Sequence, residues 1–298
     1  MKKQILFSLL VLAVLISSCK AQNILDSQEV STFIDATSPK NAKPLILKKS
    51  ESSKQSWKLA FSDEFNDTKM DTVKWSVENA PKRRVDIMLY SDDNQVQEKE
   101  GKAFIYYRKS ALNDTTYMAG RFNSRNKFAP TYGFMESKIH LVKPNGYQMA
   151  FWMMPEGDGM ASKTTPDGTA NDGAEIDIVE GNKLNAFSTG LHWDGYAKPA
   201  HKANGKLIKK SDLYEAEYHT FGFEWSPTFV RWYLDGKMIR EVADPKLIPQ
   251  VAHYLYFSGS CFGKSDWVDG DVRTNEFIQK GGVAEAYIDY VRVFQTKN

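Results

Sequence analysis

Glu175-Ile-Asp-Ile-Val-Glu180 places three carboxylates within six residues of an otherwise apolar run. In a β-strand the side chains alternate between faces, so Glu175 and Asp177 share one face while Ile176 and Ile178 point into a core. Strict alternation would then send Glu180 to the core side, where an unpaired charge is very unfavourable. One extra residue, inserted as a β-bulge around Ile178-Val179, returns Glu180 to the acidic face. Three carboxyls on one face repel each other, so stability alone would not select them. A solvated acidic strand or a cation site is one reading of the spacing. The other is glycoside hydrolysis, because retaining enzymes hold two carboxyls about 5–5.5 Å apart. On that reading Glu175 is the nucleophile and Glu180, with a raised pKa, the general acid/base. Asp177, between them, hydrogen-bonds the nucleophile and tunes the charge of the group. The three titrate as a coupled set.

The surrounding chain is patterned almost entirely as β. Strands are predicted over Lys102–Arg108, Gly133–Leu141, Met149–Met154, Ala174–Glu180, Ser188–Trp193, His219–Trp225, Phe229–Leu234, His253–Phe257 and Ala286–Phe294. Asp235-Gly236, between Val230-Arg-Trp-Tyr-Leu234 and Lys237-Met-Ile-Arg240, signals a tight hairpin. Many short strands with little helical period predict a sandwich of two antiparallel sheets. The 42% hydrophobic content is ample for its core, and a net charge of +2 gives no argument for nucleic acid as a partner.

Outside this region the chain reads differently. Lys2 and Lys3 precede a run from Ile5 to Ile16 that is apolar apart from Ser8, followed by Ser17-Ser18-Cys19. The run is too short to span a bilayer comfortably and reads as a signal peptide. An apolar residue, two small residues and a cysteine match the bacterial lipoprotein cleavage box. Residues 1–18 are therefore expected to be removed and Cys19 to be lipidated, anchoring the protein without a transmembrane helix. The expected location is a bacterial membrane, on its periplasmic side or at the cell surface. Residues 19–55, rich in Ser, Lys, Asn and Asp, are expected to form a disordered tether, and residues 56–298 the folded domain. Cys261 is the only other cysteine. With Cys19 acylated no intrachain disulfide can form, and Cys261 reads as a small buried hydrophobe.

From Trp57 to Phe294 the chain resembles glycoside hydrolase family 16, the group of laminarinases, lichenases, agarases and some endo-β-galactosidases. The opening Trp57-Lys-Leu-Ala-Phe-Ser-Asp-Glu-Phe-Asn66 carries the resemblance, with Gly120-Arg-Phe-Asn-Ser124, Thr131-Tyr-Gly-Phe-Met-Glu136 and Ala150-Phe-Trp-Met-Met154 after it. Phe223-Glu-Trp-Ser-Pro227, Val230-Arg-Trp-Tyr-Leu-Asp-Gly236 and Tyr287-Ile-Asp-Tyr-Val-Arg-Val293 complete the order. Glu175 to Glu180 matches the bulged form of the family's catalytic motif. The resemblance implies a β-jelly roll with a concave cleft, an endo-acting retaining β-glycanase, a polysaccharide or glycan substrate and a monomer. It needs no cofactor for the chemistry. It places Arg121, Asn123 and Trp152 in the cleft, His192 or Trp193 beside the acid/base residue with His192 favoured, and Trp267 on the rim. Trp225 and Trp232 belong to the scaffold. A structural calcium ion on the convex side is also implied, with Glu64 and Asp289 as its matching carboxylates.

Some segments depart from the pattern. Laminarinases usually carry Trp-Pro just before the Ala-Phe-Trp block, where this chain has Gly146-Tyr-Gln-Met149, and Tyr147 is the nearest substitute ring. The loop from Glu156 to Gly173 is long, and Asp194-Gly195-Tyr196 and His201 extend the strand after the catalytic one. These departures keep open a β-1,3- or β-1,4-glucan, an algal β-galactan, and mucin- or keratan-type glycans. A glycan-binding protein without activity is the reading of another class, and it gives no use to Glu175 and Glu180 together.

Overall fold

The alternating segments pair into two sheets that face each other across one core. The computed structural model describes residues 32–46, 51–78, 88–90, 95–111, 116–157 and 166–296. The signal segment and Cys19 lie outside the described residues. One sheet runs, in spatial order, Ser76–Val77, Arg121–Asn123, His253–Cys261, Tyr147–Pro155, Glu175–Lys183 and Ala186–Trp193, with the short strands Lys202–Ala203 and Lys206–Lys209 on its edge. The opposite sheet runs Lys237–Val242, Val230–Leu234, His219–Trp225, Gly133–His140, Ala284–Thr296, Lys102–Lys109, Tyr117–Ala119 and Met88–Tyr90. Trp57–Asp63 pairs beside Ala284–Thr296, and Val96–Lys99 beside Lys102–Lys109. Every pairing among the described residues is antiparallel except Met88–Tyr90 with Tyr117–Ala119. Asp235 (φ 49°) and Gly236 (φ 76°) are both left-handed, the backbone that a two-residue hairpin of this twist requires.

The inward faces supply the core. Phe151, Ile176, Ile178, Val179, Phe187 and Phe257 from the first sheet meet Phe221, Phe223, Trp232, Ile288 and Val291 from the second. Phe151 and Phe257 stack at 4.5 Å, and each such buried side chain contributes roughly 1.5–3 kcal/mol over exposure. Trp225 and Trp232 are buried in this core, as scaffold residues should be. On the outer face of the first sheet lies a separate cluster of Ala150, Trp152, Tyr254 and Tyr256. That face carries the acidic residues of the catalytic strand.

The chain ahead of Trp57 is not loose throughout. Residues 32–46, placed in the tether by their composition, dock on the domain. The Phe33 ring packs against Phe61 and Phe128 at 6.3 and 5.6 Å. The Leu45 amide donates to Glu136 Oε2 at 2.7 Å. Glu51–Lys54 forms a turn of 3-10 helix whose buried Ser52 hydroxyl donates to Glu224 Oε2 at 2.7 Å. A few anchors among many polar residues hold this segment, so its average polarity is misleading.

Candidate active site

The bulge is visible in the register of both neighbouring strands. Towards Tyr147–Pro155, Asp177 pairs with Trp152 and Val179 with Phe151, so two steps on the catalytic strand match one on its neighbour. Towards Ala186–Trp193, Asp177 pairs with Gly190 and Glu180 with Ser188, three steps against two. Ile178 is the extra residue. Ile178 and Val179 both turn into the core, and Glu180 comes back to the outer face. Glu175, Asp177 and Glu180 are therefore opposite His192, Gly190 and Ser188.

Each carboxyl has its own surroundings. Burial, with the charges of Asp177 and Glu175 added, holds the Glu180 carboxyl well above the usual carboxylate range. Gln148 Nε2 donates to Glu180 Oε1 at 2.8 Å and opposes that rise. Asp177 is 3% exposed, and its Oδ2 lies 3.4 Å from His192 Nε2. It has room because residue 190 is glycine: a Cβ there would sit 2.5 Å from Asp177 Oδ2. Glu175 opens the strand, and its Oε2 accepts a hydrogen bond from the Tyr196 hydroxyl.

His192 and His201 form a second layer beside the acids. Their rings stack at 5.3 Å, and His192 Nδ1 lies 3.1 Å from His201 Nε2. Burial works against a charged His192, but the hydrogen bond to Asp177 and the charges of Asp177 and Glu175 outweigh it, and its pKa rises. The pKa of His201 is lowered, by burial and then by the charges of His192 and Lys198. A protonated His192 can thus donate to Asp177 through one nitrogen and to a neutral His201 through the other. Glu175, Asp177 and His192 each bring one ligand atom within 4.8 Å of the others, the only such group of three among the described residues. With His192 charged, the imidazolium itself balances the acids.

Across the catalytic strand the cleft floor is aromatic. Trp152 and Tyr256 stack at 4.4 Å and 9°, and Trp152 Nε1 donates to Ser258 Oγ at 3.0 Å. The Arg121 guanidinium lies 4.5 Å from the centre of the Tyr256 ring and pairs with Glu78 at 3.3 Å. Asn123 Nδ2 donates to the same Glu78 at 3.2 Å. Arg121, Asn123 and Trp152 are therefore gathered on one flank, and His192 faces the acids.

Two expected residues do other work. Trp193 packs in the core, because neighbours on a strand face opposite ways and His192 takes the cleft. Tyr147 is also in the core, with its hydroxyl accepting from Asn275 Nδ2 at 2.7 Å. By the same alternation Gln148 faces the cleft, and this residue, which sequence reasoning missed, touches Glu180. Trp267 is 42% exposed, on a loop fastened by Lys183, which donates to Asp266 O at 2.8 Å and pairs with Asp269 at 3.1 Å.

Glu64 and Asp289 do not fit a shared calcium site. Arg292 closes both oxygens of Glu64 at 2.9 and 2.7 Å, and Asp289 pairs with Lys138 at 2.9 Å. A calcium ion would have to displace a cation already bound to each carboxylate.

Carboxyls gathered on the outer face of an all-β sheet, with burial raising the pKa of one of them, are the arrangement a glycoside hydrolase uses. The chain belongs to the glycosyl hydrolases family 16, whose model matches residues 82–276. It is similar to the glucan endo-1,3-β-glucosidase A1 of Niallia circulans, with 26% identity over 62% of this chain, and it spans 29% of that relative's length. It superposes on the laminarinase catalytic domain of Thermotoga maritima with a TM-score of 0.65 and 24% identity, covering 82% of this chain and all of that one. A further solved structure comes from a study of the endo-acting O-glycanases with which prominent members of the human gut microbiota initiate mucin breakdown. It matches with a TM-score of 0.64 and 18% identity, over 86% of this chain and 94% of that one.

Proposed function

We propose that this protein is a retaining endo-β-glycoside hydrolase acting on a β-1,3- or mixed β-1,3/1,4-glucan. The observation that carries this reading is the bulge, which sets Glu180, its pKa raised by burial, on one face with Glu175 and Asp177. Glu175 attacks the anomeric carbon through a carboxylate oxygen, with Tyr196 donating to its Oε2. Glu180 gives its proton to the departing glycosidic oxygen, and a glycosyl ester of Glu175 forms. The ionised Glu180 then takes a proton from water, which attacks the ester and frees Glu175 with overall retention. Asp177 and the His192 imidazolium steady the charge between the two steps. The stacked Trp152 and Tyr256 offer a flat apolar surface to the C–H faces of a sugar.

The glucan is supported by the similar proteins named for β-1,3-glucan hydrolysis. A mucin-type O-glycan is the second reading. It is favoured by Gln148, at the place where laminarinases carry a tryptophan, and by Tyr196 reaching over Glu175. The Ile16-Ser17-Ser18-Cys19 box supports a lipid anchor, with the enzyme at a bacterial membrane facing the periplasm or the exterior.

The test is hydrolysis of laminarin, mixed-linkage glucan and mucin glycopeptides, with the first product anomer read by NMR. The β-anomer is expected. Glu175→Ala should be inactive and rescued by azide to an α-glycosyl azide, and Glu180→Ala should yield the β-azide. An α-anomer as first product, or an active Glu175→Ala, would overturn the assignment.

A further inference from the structure

Trp232 lies in the sheet opposite the cleft, on Val230–Leu234, and is completely buried. Packing alone would be served by any large apolar ring. Its indole Nε1–H instead crosses the core to the main-chain carbonyl of Asp177, at 2.8 Å. The register of the catalytic strand breaks immediately after this residue on both sides. A bulge leaves main-chain groups without ladder partners, and a buried carbonyl needs one.

Arg240 is directly cross-strand from Trp232, on Lys237–Val242, and its guanidinium lies 4.1 Å from the centre of the indole ring. It is 6% exposed. Nη1 donates to Thr189 Oγ1 at 2.7 Å, and Nη2 to Asn204 O and Oδ1 at 2.6 and 2.5 Å. Burial lowers its pKa to about 10, against the pull of the Asp177 charge. Thr189 precedes Gly190, the residue opposite Asp177. The guanidinium thus ties down the flanking strand while the indole ties down the catalytic one. A cation over the ring also polarises the indole and strengthens its N–H as a donor.

We propose that Trp232 and Arg240 are positioning residues that hold the bulge at Asp177–Val179, and through it the placement of Glu180 relative to Glu175. The inference rests on the roles given to Glu175 and Glu180 above. Loss of the brace lets the strand relax after Asp177 and misplaces the proton donor while the sugar platform stays intact.

The test is Trp232→Phe, which keeps a ring and removes the donor, on two aryl β-laminaribiosides. A phenyl leaving group needs the Glu180 proton, and a 2,4-dinitrophenyl group does not. In kcat/KM, which reports only the first step, the phenyl glycoside should lose about tenfold or more and the dinitrophenyl glycoside should be nearly unaffected. Arg240→Met should behave like Trp232→Phe, and Arg240→Lys should recover much of the rate. Equal losses on both glycosides, or none on either, overturn the proposal. Glu180→Ala runs alongside: if it shows no leaving-group selectivity, the acid/base assignment is what fails. The brace is then decided by amide hydrogen exchange over residues 175–183, which Trp232→Phe accelerates if the brace exists and leaves unchanged if it does not.

Discussion

Gly190→Ala adds a single methyl group opposite Asp177. The new Cβ would fall 2.5 Å from Asp177 Oδ2 and 3.2 Å from His192 Nε2. Ordinary contact begins at 3.4 Å, so the carboxylate must retreat by about 0.9 Å. The crowded atom is the end of a side chain, so the backbone need not move. Alanine within a strand is also better than glycine by roughly 0.5–1 kcal/mol. The fold should therefore survive with an unchanged or slightly higher melting temperature. Activity should not, because a misplacement of about 1 Å in a catalytic constellation costs roughly a hundredfold. That corresponds to about 2.7 kcal/mol of barrier. The displaced carboxylate also leaves His192, whose raised pKa depends on it. Reducing-end release from laminarin gives kcat and KM, and differential scanning calorimetry gives the melting temperature. A kcat within about threefold of wild type would show that Asp177 needs no fixed place and would refute the reasoning.

Two further predictions concern titration. Burial raises Glu136 from 4.5 to about 7, so the folded state holds its proton longer than the unfolded chain. Stability from this group is then fully present below about pH 4.5 and is lost as pH rises through 7, by up to about 3 kcal/mol. Urea unfolding from pH 5 to 8 should show this decline, and Glu136→Gln should flatten it; equal slopes in both proteins would count against it. Gln148 donates to Glu180 and favours its charged form, so Gln148→Leu should push the Glu180 pKa further up and move the alkaline limb of the kcat/KM profile to higher pH. A limb that stays in place or moves down would show that Gln148 does not govern this proton.

The acidic face was legible because two simple constraints met there. Period two put Glu175 and Asp177 together, and the penalty for burying Glu180 demanded an insertion, which the register locates at Ile178. The same alternation, carried back from Trp152 through Ala150, assigns the cleft to Gln148 and the core to Tyr147. Attention to the missing aromatic ring hid the amide beside it. Tyr196 and His201 stood out as an extension, but not as groups touching Glu175 and His192. Their chain turns at Asp194 (φ 60°) and Gly195 (φ 74°), and no period states where a left-handed turn sends the residues after it. Residues 32–46 were hidden because docking through Phe33 and a few hydrogen bonds hardly changes composition. The bond from Trp232 to Asp177 is the least legible of all. Its acceptor is a main-chain carbonyl, which every residue possesses, and its need for a partner arises only once the bulge has formed. A tryptophan read as scaffold from its apolar neighbours can therefore still govern the catalytic strand, because the polar atom that matters is directed by the tertiary fold rather than by the pattern around it.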